Sequence, residues 1–501
     1  MLFVEARFFY FFLLVFIVHW SLSGHTVRKL WLLGCSYYFY AAFFLGPEPF
    51  SGKPLPPGWW FPFLLAASTC MDYIVGLRLE DAREQRVRKL WMTASICANI
   101  GVLVYFKYMG FFIESALAFT AWIGFPASYH TLKIILPVGV SFYTFQSMSY
   151  TLEVYRRHRP AERNFLNLAT FICFFPQLVA GPIVRAMVFL PQLAVPRRWA
   201  NVDVRGALVL FMSGFVKKAC ISDGIAPFVD QYFSAPTQFT SLSAAIAVPL
   251  YAVQIYCDFS GYTDMACACA KLLGYELMLN FDFPYFSRNV TEFWQRWHIS
   301  LSTWLRDYLY ISLGGNRGSR IFVYRNLFLT MLLGGLWHGS RWTFVLWGVL
   351  HGLALIIHRA WKQRPGNLLK QQALEENTAW RLLSTAFTFY FVCICWIFFR
   401  SADLTKPMSG EDFTRALYIL RAFVGLGATP VAGAPLQSLD PRLFELFIGL
   451  ALIHWCNFKG LFSTWWRKWP DPVFATAYGL CVAGIVLFIP IKYVPFIYFQ
   501  F

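Results

Sequence analysis

The chain is predicted to be an all-α, polytopic membrane protein with about 11–13 membrane helices, re-entrant segments included. Three observations predict it. Of the 501 residues, 58% are hydrophobic and 14% are charged, whereas soluble domains carry about 25% charged residues. Phe (53), Tyr (25) and Trp (20) make up 20% of the chain, as expected for lipid-facing spans bordered by aromatic belts. Apolar runs also recur from end to end with no soluble domain or low-complexity linker between them. Residues 1–501 therefore read as a single transmembrane domain.

The series opens with Phe8–Leu22. Glu5 and Arg7 precede it, without the basic start and small-residue cleavage site of a secretory signal, so it reads as an uncleaved first span. Leu30–Gly46, Trp60–Gly76, Trp91–Phe106 and Ile134–Tyr150 follow. After them come Gly206–Ile221, Ala244–Cys257, Trp342–Ile357, Leu382–Phe399, Leu443–Phe458 and Pro472–Pro490. Each is long enough, or nearly so, to cross a hydrocarbon core of about 30 Å. Two runs are ambiguous: Phe165–Ile183 is broken by Pro176 and Pro182, and Asn326–Trp337 is short for a full span.

A net charge of +17 raises the question of nucleic acid. The basic residues answer it by where they fall. Arg28 and Lys29; Arg83, Arg86, Arg88 and Lys89; Arg156, Arg157, Arg159 and Arg163; Arg359, Lys362 and Arg364; and Lys459, Arg467 and Lys468 occupy alternate loops. In the opposite loops, Gly46–Trp59 has only Lys53 and Asp223–Thr240 has no Lys or Arg. By the positive-inside rule both termini then face away from the cytoplasm, and the tail 491–501 is periplasmic. The excess is topology, and no nucleic-acid partner is expected. The twelve cysteines contain no C-x-x-C and lie almost entirely in apolar runs. They read as small hydrophobes, with no metal site.

Basic loops flank Phe165–Ile183 on both sides, so this run is expected to dip in and return. The same holds for Asn326–Ile357. Its first arm of 12 residues would rise roughly 18 Å. Trp337-His338-Gly339-Ser340 would then turn somewhat past mid-membrane, reached from the cytoplasm. Irregular backbone at that depth is tolerated only where protein buries it or a cavity is lined by it.

No phosphate-loop, dinucleotide-binding, nucleophile-elbow or zinc-protease motif is present. Polar residues inside apolar segments are what remains, and these are costly there. His338, in Gly334-Gly335-Leu336-Trp337-His338-Gly339, reads either as a general base working near neutral pH or as a structural histidine bonded to a carbonyl. His298 follows a helix start in which Asn289 and Glu292 resemble a capping box. Trp294, His298, Leu301 and Leu305 share one face at helical spacing, so Phe293–Asp307 is expected to be an amphipathic interfacial helix. Its histidine is either an active group or a packed one. Arg288, Arg296, Arg306 and Arg317 surround it. They would either meet the phosphates of a nucleotide-bearing donor or simply obey topology. Asp258 and Asp264, ending a span, are expected to be structural, as partners of nearby arginines or as a cavity lining.

Several stretches together resemble one family. They are Leu136–Gln146, Pro176–Ile183, Asp258–Asp264, Phe293–Asp307 and Gly335-Leu336-Trp337-His338-Gly339. The chain is similar to the bacterial branch of the membrane-bound O-acyltransferases, most of all to members acting in alginate O-acetylation, and more distantly to those transferring D-alanine to teichoic acid. The resemblance implies a helical funnel whose motif-bearing core is about residues 134–358. It implies His338 as the catalytic histidine and His298 as the second active-site histidine. It further implies acetyl-CoA as the acyl donor with no permanently bound cofactor, a bacterial inner-membrane location, periplasmic acetyltransferase subunits of SGNH-hydrolase type as partners, and an exported polysaccharide as final acceptor. Other acyl donors, other envelope polymers (teichoic acid, peptidoglycan, cellulose) and a transporter without chemistry are the alternatives. The absence of an internal repeat with paired broken helices weighs against the transporter.

The chain ends Pro495-Phe496-Ile497-Tyr498-Phe499-Gln500-Phe501. Two readings of Tyr498 are open. Tyr and Phe favour the headgroup level, which makes the tail an anchor. The ending also resembles the C-terminal aromatic-tyrosine motif of this family or its small partners, which implies a tyrosine acyl relay.

Overall fold

The computed structural model describes residues 1–44, 58–125, 134–179, 181–364, 377–402, 410–427, 436–461, 464–489 and 497. Among them the structure is helical, without strands beyond one isolated bridge between Phe239 and Gln437. Phe61–Asp81, Gln85–Trp122, Ser241–Leu272, Trp342–Lys362 and Thr378–Ser401 are long and apolar enough to cross a membrane, and Ala6–Ser21 and Asp471–Val486 are shorter apolar helices. The all-α membrane class is therefore as expected. Several of the apolar runs are nonetheless not continuous α-helices. The run Gly206–Ile221 passes from Val204–Phe215 into a π-helical turn, Val216–Ser222. The proline-broken run Phe165–Ile183 forms only the short helices Phe165–Cys173 and Phe175–Leu178.

The chain divides into two compact units, residues 1–214 with 262–279, and residues 215–261 with 280–501. In the first, Leu136–Gln146 leads into the helix Val140–Tyr155, which is buried along almost all its length. Gly139 enters it at φ 75°, and a Cβ there would lie 2.7 Å from the Leu178 carbonyl oxygen. Only glycine suits both conditions. Some buried polar groups in this unit are tightly paired: the Asp72 carboxylate accepts from Ser95 Oγ at 2.8 Å and from Asn99 Nδ2 at 3.1 Å. Arg88, expected only to mark topology, is buried and donates to the carbonyls of Leu79, Val154 and Tyr155. It secures backbone acceptors that the ends of two helices leave open.

In the second unit, Trp297, Trp347, Trp396, Phe293, Phe344 and Phe399 form the centre of a hydrophobic core. The helices Arg320–His338 and Trp342–Lys362 make a tight hairpin. A Cβ on Gly335 would come within 2.9 Å of Gly348 Cα, and one on Gly348 within 3.2 Å of Gly335 Cα. Small residues at such a crossing let two backbones approach where lipid provides no hydrophobic drive for association. The first arm has 19 residues, so it is longer than the 12-residue apolar stretch suggested. Arg320 and Arg325 lie on the helix itself.

Candidate active site

His338 is the last residue of its helix, and Gly339 follows in extended backbone. The glycine-bounded turn of the sequence reading is present. The imidazole is 2% exposed. Its ring lies 5.0 Å from Trp337, 4.9 Å from Trp347 and 5.3 Å from Phe399, in an aromatic sleeve.

His298 corrects an expectation. No continuous amphipathic helix runs from Phe293 to Asp307. Val290–Arg296 stops, Trp297 is extended, and His298 sits in the left-handed region (φ 44°, ψ 56°) before a second short helix, Ile299–Trp304. A π-helical turn, Leu305–Tyr310, follows. Left-handed backbone costs a non-glycine residue roughly 1–2 kcal/mol. The fold holds it there: Asn280 accepts from Ile299 N through its carbonyl at 2.9 Å and from Ser300 N through its side chain at 3.1 Å. The Arg296 carbonyl accepts from Asp282 N at 3.0 Å. Its apolar side chains Phe293, Trp294, Trp297, Leu301, Trp304 and Leu305 are buried, while Gln295 and Arg306 are exposed. The helix start survives: Asn289 Oδ1 accepts from Glu292 N at 2.9 Å, although Glu292 reaches back to Arg288 N rather than to Asn289.

The His298 ring stands edge-on to Phe259 at 4.6 Å and lies 6.2 Å from Trp337. Both histidine rings therefore lie near one tryptophan. His298 is fully buried, and neither ring nitrogen has a hydrogen-bond partner among the described residues. Burial lowers its pKa to about 3, which keeps the ring neutral and both nitrogens available to a ligand. A neutral imidazole carries one donor and one acceptor.

His351 is a third buried imidazole near this core. Its Nδ1 accepts from Trp294 Nε1 at 3.3 Å, and its ring lies 4.7 Å from Trp347. It anchors the tryptophan wall.

The four arginines separate. Arg288 and Arg296 line a cleft of about 540 Å³ together with Asp282, Glu292, Trp361, Lys362, Trp380 and Arg381. Both are already engaged: Glu292 pairs with Arg288 at 3.4 Å and with Arg296 at 3.1 Å, and Asp282 lies 3.6 Å from Arg296. Arg306 is outside this lining, paired with Asp307 at 2.6 Å, and Arg317 lies outside it too. Lys362 and Arg381 have no acidic partner among the described residues. In the sequence Lys362 reads only as one cation of a basic loop, and nothing there marks Arg381 as a binding residue.

Asp258 is structural in kind but not in partner. It pairs with Lys218 at 2.7 Å rather than with an arginine. Asp264 falls in the other unit. Tyr498 and the rest of the tail 491–501, apart from Ile497, lie outside the described residues.

Residues 60–402 match the membrane-bound O-acyltransferase family. This stretch holds His298 and His338. A probable alginate O-acetylase of Azotobacter vinelandii is 42% identical over 411 residues, covering 81% of this chain and 76% of that protein. Another from Pseudomonas putida is 39% identical over the full length of both chains. A peptidoglycan O-acetyltransferase of Helicobacter pylori is 34% identical, covering 83% of this chain and 77% of its own.

Proposed function

The chain belongs to the membrane-bound O-acyltransferase family, and we propose that within it this enzyme carries acetyl groups to an exported polysaccharide such as alginate. It is a multi-pass membrane acyltransferase. In this proposal the donor is acetyl-CoA on the cytoplasmic side of the bacterial inner membrane, both termini are periplasmic, and the acyl group leaves outward. The observation that carries the reading is His338 closing a helix within an aromatic sleeve, with the His298 ring near the same Trp337.

The chemistry follows from that arrangement. His338 takes the proton of an attacking hydroxyl, and the hydroxyl oxygen bonds to the acyl carbon. The carbon–sulfur bond of the thioester breaks, and the imidazolium returns its proton to the thiolate. His298, held neutral, donates a hydrogen bond to the carbonyl oxygen as negative charge develops there. The low-polarity sleeve strengthens that bond and keeps water from the thioester. Tyr498 is the proposed first acceptor. A phenol near pKa 10 is a poor nucleophile until a base takes its proton, and its ester is a good acyl donor to a serine. A periplasmic subunit of SGNH-hydrolase type would supply that serine and complete transfer to the polymer. The donor's phosphates would sit in the basic cleft, against Lys362 and Arg381 as well as Arg288 and Arg296.

The Helicobacter relative favours a second acceptor, peptidoglycan. Purified protein given acetyl-labelled coenzyme A, the periplasmic subunit and either alginate or peptidoglycan fragments separates the two. Label on alginate supports the first reading, label on peptidoglycan the second, and label on neither with donor intact contradicts both. Tyr498→Phe keeps the aromatic ring and should lose transfer; full transfer in that variant removes the relay.

A further inference from the structure

A buried charge cluster lies one residue along the chain from the Phe259 wall of His298, and the chemistry above does not use it. Lys218 Nζ is 2.7 Å from Asp223 Oδ1 and 2.7 Å from Asp258 Oδ1, with side chains 2–5% exposed. Lys218 is carried by the π-helical turn Val216–Ser222, Asp223 starts the helix Asp223–Ser234, and Asp258 lies on Ser241–Leu272. Three charged groups taken out of water are costly to bury, even when they are well paired. Such pairs are better evidence for a specific arrangement than for stability. π-helical turns recur where a helix serves a functional site.

The second oxygen of Asp258 indicates what is arranged. Oδ2 accepts the backbone N–H of Ile497 at 2.7 Å, across 239 residues of sequence. Ile497 is 6% exposed and belongs to the same core as Trp297, Trp347 and Phe399. The next residue after Asp258, Phe259, meets the His298 ring at 4.6 Å. Ile497 is thus tied, through a carboxylate, to the helix that walls one of the two histidines.

We infer that Asp258 is a positioning residue that holds the main chain at Ile497 in the acyl-transfer core, one carboxylate oxygen paired with Lys218 and the other accepting the Ile497 N–H. A carboxylate bound to a main-chain N–H fixes the path of the chain rather than reading its side chain. The Ile497 side chain fills apolar space in the same core. The effect on catalysis rests on the acyltransferase reading above; the anchoring of Ile497 does not.

Two readouts test the inference on the full chain in detergent: release of C-terminal residues by a carboxypeptidase, followed by intact mass, and kcat and KM for acyl transfer. Ile497→Pro removes the N–H and leaves the Lys218 cluster untouched, and Ile497→Val keeps the N–H. A hydrogen bond to a charged group, when lost, corresponds to about tenfold or more in the population of the released end. Ile497→Pro and Asp258→Ala should therefore each speed release by about tenfold or more and lower kcat with donor KM little changed. Asp258→Asn, which retains an acceptor oxygen, should lie between them and the parent, and Ile497→Val, which keeps the N–H and loses one methyl group, should release more slowly than Ile497→Pro. Release at the parental rate in Ile497→Pro overturns the inference. Faster release with unchanged kcat overturns the positioning role. Should the parent itself transfer no acyl group, the functional reading fails while the release rates still decide the anchor.

Discussion

Two neighbourhoods of the second unit handle polarity in opposite ways. In the histidine core, imidazoles are wrapped by Trp337, Trp347, Phe259 and Phe399, and His298 has no hydrogen-bond partner among the described residues. In the basic cleft, arginines and acids pair closely: Glu292 serves both Arg288 and Arg296. An unpartnered polar group is expensive when buried and nearly free when exposed. The core therefore holds its groups in readiness at a cost, whereas the cleft holds charges that water would satisfy anyway. Chemistry is expected in the first and donor recognition in the second. Substitutions should divide accordingly, with core variants lowering kcat and cleft variants raising KM.

The largest effect is expected in the core. His298→Ala should lower kcat by roughly 10²-fold, the lower end for a positioned acid–base or charge-stabilising group. Assay of label transfer at saturating donor checks it, and a change confined to KM would move His298 out of the reaction centre. Next comes the cleft. Lys362→Ala with Arg381→Ala should raise donor KM by roughly three- to tenfold with kcat unchanged, in keeping with partly exposed charges. Raised salt should erase that difference, and a variant that loses thermal stability instead would return these residues to topology alone. Smaller still, Arg306→Ala and Arg317→Ala should leave KM within about twofold, because neither lines the cleft.

The smallest expected effect concerns acid. Burial lowers the His298 pKa to about 3, whereas an unfolded histidine titrates near 6.5. Between those values the unfolded chain binds the additional proton, so stability contributed by this group falls as pH drops from 7 to 5. His298→Gln should lose less melting temperature than the parent over that interval. Equal losses would mean that His298 is already protonated, or hydrated, in the folded protein.

Much of this division was readable from the residues. His338 stands out because an ionisable side chain interrupts an apolar run beside glycines, and the hairpin crossing at Gly335 and Gly348 gives those glycines their reason. The break at His298 was not readable. Trp294, His298, Leu301 and Leu305 keep helical spacing, and no Gly or Pro marks the stop. The stop is imposed by Asn280, a residue from another part of the chain. Lys362 and Arg381 are not legible as cleft residues either: cations near the ends of spans satisfy the positive-inside pattern wherever they point, so charge alone cannot single out those that line a cleft. The pairing of Asp258 with Lys218 and with Ile497 is long-range and leaves no local pattern. It is visible only once the chain has folded.

The central claim, that acyl chemistry occurs at His338 inside the aromatic core, is tested most directly by one measurement. It is single-turnover transfer of label from acetyl-CoA by purified His338→Ala, beside the parent, with melting temperatures matched. The account predicts transfer slowed by roughly 10²–10⁴-fold in a protein that still folds and still binds donor. Transfer at the parental rate would contradict it.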